Sequence, residues 1–90
     1  MREFTFVLER EPDIKSVGAL VEEAAGCTSD ITIHKGEKAG NAKLIFNVLS
    51  LSLKPEDEVT VSVEGEKEQA EAEGFEEFVK QWLTSTENKK

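Results

Sequence analysis

Alternation opens the chain. Phe4, Phe6 and Leu8 alternate with Glu3, Thr5 and Val7, the two-residue period of a strand with one buried face. Pro12 breaks this pattern, and from about Ser16 to Cys27 the apolar residues Val17, Leu20, Val21, Ala24 and Ala25 recur at helical spacing, ending at Gly26. Asp30 to His34 alternates again, and the Gly36 turn leads into a short third strand over about Lys38–Ala42. Val59, Val61 and Val63 alternate with Thr60, Ser62 and Glu64, the clearest strand in the chain. Phe75, Phe78, Val79, Trp82 and Leu83 then fall at i, i+3, i+4, i+7 and i+8, a broad apolar stripe on a last helix near 67–83. That stripe reads as core, and its packing must outweigh the roughly 1 kcal/mol that Gly74 costs inside a helix.

One segment resists the pattern. Lys43 to Leu53, KLIFNVLSLSL, is almost wholly apolar, and its length permits a strand or a short helix. The order is therefore strand, helix, two strands, an open choice, strand, helix. Each strand has one apolar and one polar face, so a single antiparallel sheet with helices on one side, an α+β fold, accommodates it.

Composition narrows the function classes. Ninety residues make one domain, spanning about 1–84, with a frayed tail expected over 85–90. A chain this size buries roughly 60 to 65% of its unfolded surface and folds alone. The apolar runs are too short for a membrane span, and the charged start MREFTFVLER is not a secretory leader. Cys27 is the only cysteine, so no internal disulfide forms and a reducing cytoplasm is the natural compartment. A formal charge of −8 argues against nucleic acid, whose phosphates such a surface repels. The acids from Glu64 to Glu77 read as the solvated face of the last helix. One histidine, His34, and one cysteine make no metal-ligand set, and nothing implies a cofactor.

Two stretches carry a resemblance. Asp13-Ile14-Lys15-Ser16-Val17-Gly18-Ala19 aligns with the pattern G-I-H-A-R-P-A, and Lys43-Leu44-Ile45-Phe46-Asn47-Val48-Leu49-Ser50-Leu51-Ser52 aligns with K-S-I-M-G-V-M-S-L-G. Both patterns belong to HPr, the histidine phosphocarrier family of the bacterial sugar phosphotransferase system, and the chain resembles that family over residues 1 to 84. The resemblance implies an open-faced β-sandwich of order βαββαβα. It makes the open segment a helix near 44–52, with three helices covering one face of a four-stranded antiparallel sheet.

It also implies a chemistry that the residues here do not supply. In the family a histidine at the Lys15 position takes up and passes on phosphate. A neutral imidazole suits this task, and a helix N-terminus receives the phosphate. A lysine of ordinary pKa, about 10.4, is protonated and non-nucleophilic. Val17 and Gly18 stand where the family has arginine and proline. Gram-positive members carry a kinase-regulated serine where this chain has Leu44. The expectation is no phosphoryl transfer and no enzyme activity. The alternative is a working carrier that uses an atypical residue, Ser16 or His34.

What the resemblance leaves is contact. Family partners dock on the first helix and the short second helix, which here offer Lys15, Ser16, Val17, Gly18, Leu20 and Val21, and Leu44, Ile45, Phe46 and Leu49. Val48 and Leu51 are expected on the buried side. The site reading is therefore a partner-binding patch of Lys15, Ser16, Val17, Leu20, Ile45, Phe46 and Leu49, centred on Val17, Phe46 and Leu49. Its occupant is a protein, either a phosphotransferase enzyme or a transcriptional regulator, with a homodimer as the other use of such a patch.

Overall fold

The computed structural model describes residues 1–82. Seven elements follow in order: β1 (Arg2–Val7), α1 (Ile14–Ala25), β2 (Asp30–Lys35), β3 (Lys38–Asn41), α2 (Ile45–Leu49), β4 (Glu58–Glu64) and α3 (Glu68–Gln81). The four strands form one antiparallel sheet in the order β1-β4-β2-β3. This is the α+β, open-faced architecture expected from the sequence.

Register explains the two faces. Phe4 lies opposite Val61, Val61 opposite Ile33, and Ile33 opposite Gly40, so one row of side chains runs across the core face. On the other face Thr5 and Thr60 share a 3.1 Å hydroxyl contact, and His34 Nε2 lies 3.1 Å from the Ser62 hydroxyl. Side chains alternate across a strand, so the branched residues pack inward while the hydroxyls stay on the uncovered side.

The helices close the core from the apolar side. Val17, Leu20 and Ala24 of α1 are buried, as are Ala72, Phe75 and Val79 of α3, and Val48 of α2 with Leu51 just beyond it. Spacings of three and four residues put each set on one helix face. Phe78 and Trp82 are half-buried against this core, and Leu83 lies outside the described residues, as does the 85–90 tail. At the end of the sheet row, Gly40 lets α2 come close: a Cβ there would lie 2.9 Å from the Asn47 carbonyl oxygen.

The first helix begins two residues earlier than its apolar spacing suggested. Asp13 is extended, and its side chain accepts the Ser16 amide at 2.8 Å while its carbonyl accepts the Val17 amide at 2.9 Å. This aspartate N-cap, set by polar chemistry rather than by the hydrophobic stripe, starts the helix at Ile14. The second helix is shorter than the expected 44–52, with five residues.

Candidate functional site

The starts of α1 and α2 lie on the side of the core away from the open sheet face. α1 begins under a cap that uses its own free amide. Asp13 Oδ1 holds the Ser16 N–H, and that bond keeps the Asp13 carboxyl below the usual carboxylate range. A helix N-terminus receives anions because its first amides are free. Here a side-chain carboxylate already takes that role. Lys15 is exposed one residue inside the helix, and Ser16 is half-buried with its carbonyl accepting the Trp82 indole N–H at 2.9 Å. That bond pins the end of α3 to the first turn of α1.

The structure divides the expected patch. Phe46 is 79% exposed and Leu44 53%, while Ile45 and Leu49 are half-buried against the core. Val17 and Leu20 are only 2% and 1% exposed, so they offer no outward surface, contrary to the expectation that both line the patch. The reason is the helical phase: Val17, Leu20 and Ala24 form the stripe that faces the sheet. Ile14, 69% exposed, is an apolar surface residue that the family alignment does not place in the patch. It shares the phase of Val17, three residues on, but sits in the first turn at the end of the packed stripe. The earlier helix start, signalled by Asp13 and Pro12, was the clue to its place.

Val17 nevertheless reaches the site from below. With Val48, Leu49 and Leu53 it lines the apolar part of a cleft of about 280 Å³, which Glu11, Pro12, Ser52 and Lys54 complete. The cleft rim carries one charge of each sign, Glu11 and Lys54. From Lys38 to Pro55 the chain holds three lysines and no acid.

The other singled-out residues lie elsewhere. His34 is in the middle of the open sheet face beside Ser62, at no helix N-terminus. Cys27 is half-buried beyond α1, and burial, then the Glu71 charge, raise its thiol pKa. Among the described residues no three His, Cys, Asp or Glu side chains gather as a metal site, and no helix is long and apolar enough to cross a membrane.

A family model described as the PTS HPr component phosphorylation site matches residues 2–81. The chain belongs to the HPr family. A phosphocarrier protein HPr from Mycoplasma capricolum is 37% identical over 51 residues, a match spanning 57% of each chain, so little more than half of that relative is covered. The HPr-like protein Crh of Bacillus subtilis is 38% identical over 61 residues, 68% of this chain and 72% of Crh. A solved Crh structure, described as a dimer intertwined through a swapping domain, matches with a TM-score of 0.71 at 32% identity, over 84% of this chain and 87% of that one. HPr-C-His from Thermoanaerobacter tengcongensis reaches a TM-score of 0.83 over 92% and 96% of the two chains. At 24% identity it shows the common fold alone. The HPr likeness of α2 is thus matched by the fold, and the segment that pattern left open is a helix.

Proposed function

We propose that this HPr-family chain acts by protein contact in the cytoplasm and has lost the phosphocarrier step. The observation that carries the reading is the exposure of Ile14, Leu44 and Phe46 at the starts of α1 and α2; among the described residues the other large apolar side chains, Met1 and Val7 apart, are packed. Large apolar side chains left on the surface of a small domain mark contact sites, and an aromatic one commonly dominates the binding energy. Ile45, Leu49, Lys15 and Ser16 border them and complete the docking face. The apolar side chains suit a partner with an apolar contact surface, a phosphotransferase enzyme or a transcriptional regulator.

Loss of the carrier step rests on Lys15 and Asp13. Lys15 aligns with the family's phosphohistidine and has no neutral ring nitrogen to offer. Asp13 aligns with a family glycine and puts a carboxylate on the Ser16 amide, where an incoming phosphate would meet like charge. Leu44 has no hydroxyl for a kinase. The carboxylate beside Ser16, that of Asp13, is committed to the helix cap and repels phosphate, and His34 lacks a helix N-terminus, so neither replaces the missing histidine.

Incubation of the full chain with phosphoenolpyruvate and the upstream phosphotransferase enzyme tests this directly. Mass spectrometry is expected to show no added phosphate, while Phe46→Ala weakens binding to the partner. One phosphate gained stoichiometrically on His34 or Ser16 would sink the reading.

Self-association is the second reading. The Crh relative is described as a swapped dimer, and here β1 is an outer strand joined to the domain by the 8–13 loop. Sedimentation of the purified chain decides it: a dimer unaffected by Phe46→Ala assigns the contact to β1, and a dimer broken by it assigns the contact to α2.

A further inference from the structure

The exit from α2 is strained and held. Ser52 has φ of 54°, in the left-handed region that favours glycine, and the aligned family pattern has glycine there. The residue lies between Leu51 and Leu53, both of which are buried. Two bonds fix it. The Ser52 amide donates to the Leu49 carbonyl at 3.2 Å, and the Ser52 carbonyl accepts from Lys35 Nζ at 2.6 Å. The first limits rotation before the Ser52 Cα and the second limits rotation after it.

Lys35 reaches this carbonyl from the last residue of β2, opposite Lys38 in the sheet. The same ammonium pairs with Asp57 at 2.9 Å, and Asp57 Oδ2 accepts the Lys54 amide at 2.8 Å. A second left-handed residue, Glu56 with φ of 74°, donates its amide to the Leu8 carbonyl at 2.7 Å, and the Leu8 amide returns to the Asp57 carbonyl at 3.0 Å. The segment from Ser52 to Asp57 therefore contains two residues in the left-handed region; its Glu56–Asp57 end is tied by backbone bonds to Leu8, and its Ser52 end is held by the Lys35 side chain. Leu49, Ser52, Leu53 and Lys54 from this region form one wall of the cleft beside Val17.

We infer that Lys35 is the positioning residue of the docking face: by gripping the Ser52 carbonyl and the Asp57 carboxylate it holds the strained exit of α2, and with it the Leu49–Leu53 wall of the cleft. The consequence for binding rests on the docking reading; the mechanical role does not. Without Lys35 the Ser52 backbone relaxes out of the left-handed region, and Leu49 and Leu53 move with it. With glycine at position 52 there is no strain to relax, so the wall keeps its shape even when Lys35 is lost.

Four forms of the full chain test this: Lys35→Met, Lys35→Arg, Ser52→Gly and the double variant Lys35→Met with Ser52→Gly. Methyl NMR of Val17, Leu49 and Leu53 is read together with urea unfolding. Lys35→Met is expected to displace the Leu49 and Leu53 methyl signals while leaving Val61 and Val63 of β4 in place. Lys35→Arg and the double variant are expected to keep them near their original positions. Ser52→Gly lowers the unfolding constant of the natural chain roughly fivefold but changes that of Lys35→Met much less. Unmoved methyls in Lys35→Met, or effects of the two substitutions that multiply to within about a factor of two, would reduce Lys35 to an ordinary surface ion pair. All of these signals are read with no partner present, whereas Phe46→Ala tests docking, so the two conclusions fail separately.

Discussion

Glu71 of α3 closes the start of β2 through Ser29: its Oε1 accepts the Ser29 amide at 2.9 Å and its Oε2 the neighbouring Thr28 amide at 2.8 Å. The hydroxyls of both residues donate to the same carboxylate. Ser29 is buried, so this single carboxylate satisfies the amides and hydroxyls of Thr28 and Ser29 and fastens α3 to the α1–β2 connection. The hydroxyl of Ser29, followed by the Thr28 amide, lowers the Glu71 pKa from its ordinary 4.5 to about 2.

The sign of the acid response follows. A carboxyl with a depressed folded pKa contributes stability that is complete above its unfolded value and is lost as pH falls toward its folded value. Glu71 therefore makes the urea midpoint fall between pH 4.5 and about 2. Glu71→Gln should lower the midpoint at pH 7 and flatten that part of the profile. An unchanged slope in Glu71→Gln would assign the acid response to other carboxylates.

Gly65→Ala probes the same fastening by crowding. A Cβ at Gly65 would lie 2.8 Å from the Ser29 hydroxyl oxygen and 3.0 Å from its Cα, with no room unless Ser29 shifts off Glu71. A loss of about 1 to 3 kcal/mol is expected by chemical denaturation. The acid-dependent step should shrink with it.

Phe46 and Leu51 should separate contact from core. Leu51 is buried, and Leu51→Ala is expected to cost about 2 to 5 kcal/mol. Phe46 is exposed, and Phe46→Ala should stay within about 0.5 kcal/mol of the natural chain while weakening association. Urea unfolding reads the first difference and calorimetric titration the second. Several kcal/mol lost on Phe46→Ala would make it a core residue.

Gly40→Ala should disturb α2 from the sheet side. The added Cβ would meet the Asn47 carbonyl oxygen at 2.9 Å and its carbon at 3.2 Å, both backbone atoms that cannot swing away. A cost of about 1 to 3 kcal/mol is expected, with displaced amide signals from Ile45 to Leu49. Undisturbed α2 signals with unchanged stability would show that the added methyl is accommodated without moving the helix.

Histidine at position 15 should restore little on its own. Lys15→His supplies the ring nitrogen, but Asp13 still holds the Ser16 amide and sets a carboxylate beside it. Phosphate uptake from the upstream enzyme should remain slight in Lys15→His and rise in the double variant with Asp13→Gly. Full uptake by Lys15→His alone would show that the cap is no obstacle.

Periodicity by itself determined the strands, the first and last helices, and the side of each that faces the core, because burial repeats every two residues in a strand and every three or four in a helix. It also placed Val48 and Leu51 inward and Phe46 outward once α2 was taken as a helix. Pattern could not choose that helix, since a short apolar run is buried equally well in either form, and only the resemblance to a family resolved it. Composition likewise set the acid-free stretch around α2. Tertiary structure decided the rest. Val17 lies below the docking face rather than on it, because the phase of α1 is fixed by the sheet it covers, and Ile14 is exposed because the Asp13 cap begins the helix beyond that cover. The left-handed turn at Ser52 and its grip by Lys35, 17 residues away, depend on how β2 and the exit of α2 meet in space. No local spacing encodes that meeting, since it arises from the packing of the whole domain.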